Sequence, residues 1–96
     1  MSGEKKWVVD FSGAQSAAQI HERLKAVFDF PDHYGKNWDA LNDCLNDLLT
    51  DGGRHEIEIR GFYEMDAELR AKCAPMLTVF GDVQEERENL EVTVVS

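Results

Sequence analysis

The chain predicts an α/β fold, a three-stranded parallel sheet with helices packed against it. Strand-like runs lie at residues 6–11, 56–60 and 90–95, and apolar residues recur at helical spacing between them. The order strand, helix pair, strand, helix pair, strand makes the sheet parallel, because helical crossovers return each strand in the same direction. With 96 residues and no linker, internal repeat or low-complexity stretch, a single domain over residues 1–96 is expected.

Each element has its own signal. Residues 6–11 (KWVVDF) are β-branched and aromatic and are stopped by Ser12 and Gly13, so a short strand mostly buried on both faces is expected. Ser16 and Gln19 have the spacing of a capping box, and Ile20, Leu24, Val27 and Phe28 place a helix over residues 17–28. Pro31 and Gly35 bracket a loop. Beyond it Trp38, Leu41, Leu45, Leu48 and Leu49 fall on one side of a second helix, with Asn37 as its cap and Asp51, Gly52 and Gly53 at its end. Residues 56–60 (EIEIR) alternate as a strand whose second face is partly wet. Residues 62–72 carry a weaker helical pattern. Pro75 suits the first turn of a further helix, which Met76, Val79, Phe80 and Val83 continue to about Arg87. Residues 90–95 (LEVTVV) close as a strand.

Composition narrows the function. No apolar run approaches the roughly 20 residues of a membrane span. Residues 1–6 lack the apolar region of a secretory signal, so a soluble, cytoplasmic protein is expected. Cys44 and Cys73 show no paired metal or redox spacing and read as reduced, buried thiols. The net charge of −9 is localised: residues 29–51 hold six aspartates against Lys36 alone, and residues 82–91 hold five acids against Arg87 alone. Such fields attract basic partners and repel nucleic acid and anionic membrane. Direct nucleic-acid or membrane binding is therefore not expected.

On the second helix Asp39, Asn42, Asp43 and Asn46 lie opposite the apolar arc. Asp and Asn are weak helix formers, and a merely solvated face is built more readily from Glu, Lys, Gln or Arg. Short, stiff side chains lose little entropy when fixed against a partner, which marks the stripe as an interaction surface. Asp39 and Asp43, one turn apart, could hold Mg²⁺ or act as acid and base. Yet no Gly-rich phosphate loop, H-E-x-x-H, EF-hand loop or nucleophile signature accompanies them. No catalytic residue, metal ligand or cofactor site is assigned, and the chain is not expected to be an enzyme. Among the histidines, His21 on a polar side of the first helix and His55 at a strand entrance are expected to be exposed. His33, in the loop leading to the acidic helix, can donate, accept and stack.

Residues 30–45, FPDHYGKNWDALNDCL, resemble the core signature of the barstar family, intracellular inhibitors of secreted microbial ribonucleases. The match comprises a Pro, an aromatic pair, Gly, then N-x-D-A-L-x-D-C-L, and a weaker resemblance spans nearly the whole chain. It implies the same three-stranded parallel sheet, no cofactor, and a second helix that, with the loop before it, plugs an active site. The partner it implies is a basic ribonuclease or ribonuclease toxin, met by a chain that is a monomer on its own.

By resemblance, Asp43 aligns with the family's central aspartate, which takes the place of a substrate phosphate. Asp39 and Asn37 match contact positions by residue type, and His33 stands where the family often has a contacting tyrosine. Asp82 falls where an outlying glutamate makes a peripheral ion pair. Asn42 and Leu48 replace tryptophans of the best-known member, and Trp38 replaces an aliphatic residue at the edge of the stripe. With Asn46, the expected partner-binding set is His33, Asn37, Trp38, Asp39, Asn42, Asp43, Asn46 and Asp82. The other expectation consistent with these residues is a barstar-like interaction module whose basic partner is not a ribonuclease.

Overall fold

A computed structural model describes residues 5–50 and 53–95. Strands β1 (Lys5–Asp10), β2 (His55–Arg60) and β3 (Leu90–Val95) form one parallel sheet in the order β1-β2-β3, with Trp7 beside Ile57 and Ile57 beside Val92. Helices α1 (Ala17–Phe28) and α2 (Trp38–Leu48) connect β1 to β2, and α3 (Ala67–Glu86) connects β2 to β3. The α/β architecture expected from the alternation of elements is the one observed.

Strand periodicity sorts the sheet into two unlike faces. Trp7, Val9, His55, Ile57, Ile59 and Leu90 point into the core, where Ile20, Leu24, Leu41, Leu45, Met76, Phe80 and Val83 of the helices meet them. The other face carries Lys6, Glu56, Glu58 and Arg60, joined by Lys6–Glu58 at 3.3 Å and Arg60–Glu58 at 2.7 Å. These neighbours hold the Glu58 carboxyl below its ordinary range, Arg60 foremost. Val8 is 45% exposed on this face, so β1 is not buried on both sides as expected. Its hydrophobic run reflects β-propensity and an edge position rather than two covering layers.

The helix ends follow from local chemistry. The Ser16 hydroxyl accepts from the Gln19 amide at 3.2 Å, but the Gln19 side chain accepts from the Gln15 amide rather than closing the box on Ser16. Asn37 caps α2 through a 2.7 Å bond from the Ala40 amide. That helix ends at Leu48, and the expected stop at Asp51 and Gly52 lies outside the described residues. The second expected helix pair is instead a 3₁₀ turn (Phe62–Glu64) followed by the single helix α3, capped by Asp66. Pro75 lies inside α3 on its exposed side, not in a first turn. Buried Leu69, Cys73, Met76, Phe80 and Val83 hold the two halves as one packed element, and this outweighs the missing Pro75 amide.

The two histidines expected at the surface are buried. His55 shares the inward period of Ile57 and Ile59 and stacks on Trp7 at 5.6 Å. His21 lies beneath the loop that leads into α2, its Nδ1 2.7 Å from the Tyr34 hydroxyl and its ring 4.3 Å from that of Trp38. Burial lowers the His21 pKa, with the charge of Lys36 adding to the effect.

Candidate functional site: the α2 ridge and its flanks

The loop before α2 is tied down at both ends and in its middle. Asp29 and Lys36 both adopt left-handed backbone, φ 56° and 54°, a conformation that costs non-glycine residues energy and that neighbouring structure must enforce. Phe30 and Tyr34 anchor the loop in the core, while Lys25–Asp32 at 3.2 Å and Lys36–Glu22 at 3.6 Å tie it to α1. His33 is left exposed between these anchors.

Helix α2 buries Leu41 and Leu45 and turns Asp39, Asp43 and Asp47 outward at every fourth residue. Asp39, in the first turn, also complements the positive end of the helix. Trp38 is partly buried against the core, and it also lines a depression of about 410 Å³ between α2 and α3. That depression gathers Trp38, Asp39 and Asn42 from α2 with Val79, Asp82, Glu85 and Glu86 from α3. Packing of the two helices thus joins the two acidic segments of the sequence on one surface. None of the carboxylates of Asp39, Asp43, Asp47, Asp82, Glu85 and Glu86 forms an ion pair or hydrogen bond among the described residues.

The other expected site residues are placed differently. Asn37 is exposed, but its side-chain oxygen is occupied by the cap. Asn42 is half-buried and receives the Asn46 amide. Asn46 is drawn inward, its side-chain oxygen accepting from Arg87 at 2.9 Å. His33 stands on the opposite flank from Asp82, where it lines a second depression with Cys44, Asp47 and Leu48. Burial first, then the Asp47 and Asp43 charges, raise the pKa of the Cys44 thiol, which therefore stays protonated at neutral pH.

Asp47, Glu85 and Glu86 lie on the same surface but outside the expected set. Asp47 was legible as the next step of the Asp39–Asp43 spacing, and Glu85 and Glu86 as the turn of helix that follows Asp82. Among the described residues, no group of three or more His, Cys, Asp or Glu is placed to hold a metal ion. No helix among them is long and apolar enough to cross a membrane.

Residues 5–96 match the family described as Barstar (barnase inhibitor). The chain belongs to the barstar family. It is 44% identical over 86 residues to a Bacillus subtilis (strain 168) protein named "Putative ribonuclease inhibitor YrdF", covering 85% of this chain and 88% of that relative. Members of the barstar family act as protein-binding inhibitors and are not catalysts, so this barstar-family chain is not an enzyme.

Proposed function

We propose that the chain is a single-domain, monomeric, cytoplasmic inhibitor of a basic ribonuclease, either secreted or a toxin, whose active site it fills with α2 and the preceding loop. The observation that carries this reading is the set of unpaired carboxylates that α2 and α3 present together, in contrast to Glu22, Asp32, Glu56 and Glu58, each of which has a cation. Anionic oxygens on a rigid helix can occupy the positions that phosphates take among the arginines and lysines of a ribonuclease. Inhibition then needs no covalent step and no cofactor. Asp43 has the central role, with Asp39 beside it and Asp82 at the rim. The name of the Bacillus subtilis relative supports the same reading.

The test is RNA cleavage by a panel of small basic ribonucleases, with and without the purified protein. Stoichiometric loss of cleavage with at least one enzyme is expected, and full activity across the panel contradicts the proposal. A second reading is favoured by His33, Asn42 and Leu48, which supply less aromatic area than tight interfaces use. It is an interaction module for another basic protein, recognised by capture of a partner without ribonuclease activity.

A further inference from the structure

The second depression, about 260 Å³, lies between the loop and the far flank of α2 and differs in character from the acidic one. Buried Phe28 and Phe30, with Pro31 and Leu48, supply its apolar lining, and the exposed residues Asp29 and Asp47 line it as well. His33 offers an exposed imidazole at the same opening. No Lys or Arg lines it, and neither carboxylate forms an ion pair among the described residues.

From this combination we infer that the depression receives a long cationic side chain, arginine or lysine, of the bound ribonuclease. This is a second anchoring point beside the Asp43 ridge, and it rests on the inhibitor reading. Buried aromatic rings beside exposed acids suit a side chain whose methylene stem lies on hydrocarbon while its charged head meets carboxylates. A guanidinium gains further by lying against the His33 ring. A purely apolar occupant fits less well, because covering the opening strips water from Asp29 and Asp47 without giving them a partner. Asp47 joins the two anchoring points, since it follows Asp43 by one helical turn.

Isotope-labelled protein titrated with N-acetylarginine amide tests the pocket without any ribonuclease. Amide-shift changes are expected at His33, Cys44, Asp47 and Leu48, and they should be lost in the double variant Asp29→Asn, Asp47→Asn. Asparagine tolerates the left-handed backbone at position 29, so that variant should melt like the parent. Asp43→Ala should retain the shifts, which separates the pocket from the central charge. In complex with a ribonuclease that the parent inhibits, the double variant should dissociate about tenfold faster, about 1.4 kcal/mol. Absent shifts, equal shifts with N-acetylnorleucine amide, or unchanged shifts in the double variant overturn the inference. If no ribonuclease is inhibited while the arginine shifts appear, the inhibitor reading has failed and the pocket's preference for a cation stands.

Discussion

Arg87 donates from Nη2 to the side-chain oxygen of Asn46 at 2.9 Å, clamping the end of α3 onto the end of α2. The same guanidinium reaches the backbone carbonyls of Asn46 at 3.2 Å and Leu49 at 2.8 Å, acceptors that a helix C-terminus leaves unsatisfied. A cation there also offsets the negative end of the helix. Arg87→Ala should therefore lose about 2 kcal/mol. For a domain of this size that lowers the melting midpoint by roughly 10 °C. Asn46→Ala should lose less, since two of the three Arg87 bonds go to backbone and survive, while the variant gives up the third and the Asn46 amide's bond to Asn42. Equal losses in thermal melts would place the clamp in the Asn46 side chain instead.

His21 makes stability depend on pH. Its folded pKa lies below its ordinary value of 6.5, because burial opposes the charged form, so the unfolded chain binds its proton first. The contribution is complete above about pH 6.5 and declines as pH falls below it. The lowered carboxyls of Asp10 and Glu58 act in a separate window, below about pH 4. Urea midpoints of the parent should fall between pH 7 and pH 5.5, and His21→Gln should flatten that segment of the profile. A parent profile that is already flat there contradicts the assignment.

Pro75 removes one amide from the middle of α3 while facing solvent. A helix-interior proline costs about 3 kcal/mol relative to alanine in an isolated helix, and the buried face that holds α3 together absorbs part of that cost. Pro75→Ala should thus stabilise by about 2 kcal/mol, read as a higher urea midpoint. A lower midpoint would mean that the helix depends on the proline ring for packing.

Residues 62–87 also show where sequence reading runs out. Pro75 has a strong local meaning, and the pattern from Met76 onward restarts after it, so a second helix starting there was the natural expectation. What overrides it is tertiary: Leu69 and Cys73 before the proline share a buried face with Met76 and Phe80 after it. His21 failed for a similar reason, because its cover, Tyr34 and Trp38, comes from residues 13 and 17 positions later. By contrast α1, β3 and the Asn37 cap were legible because their signals are local. Asp39, Asp43 and Asp82 could be picked out singly, but the depression that joins Asp39 to Asp82 exists only once α2 packs on α3.

Long-range attraction should govern encounter with a basic partner. The association rate should fall several-fold between about 0.01 M and 0.15 M salt, as the screening length shortens from about 30 Å to 8 Å. Dissociation should change far less. Stopped-flow mixing at several salt concentrations reads both rates, and an association rate indifferent to salt removes the steering role of the acidic surface.

The proposed enclosure of Asp43 among partner cations, with Asp82 left wet at the rim, is tested by comparing two alanine variants side by side. Asp43→Ala should weaken the complex by about 2 to 5 kcal/mol, mainly through faster dissociation, because it leaves the partner's cations buried and unpaired. Asp82→Ala should cost about 1 kcal/mol or less, chiefly through slower association. Both side chains are exposed in the free protein, so circular dichroism should show parent-like folding for each. Dissociation of Asp43→Ala at the parent rate, with the fold intact, would show that Asp43 is not the residue that holds the partner.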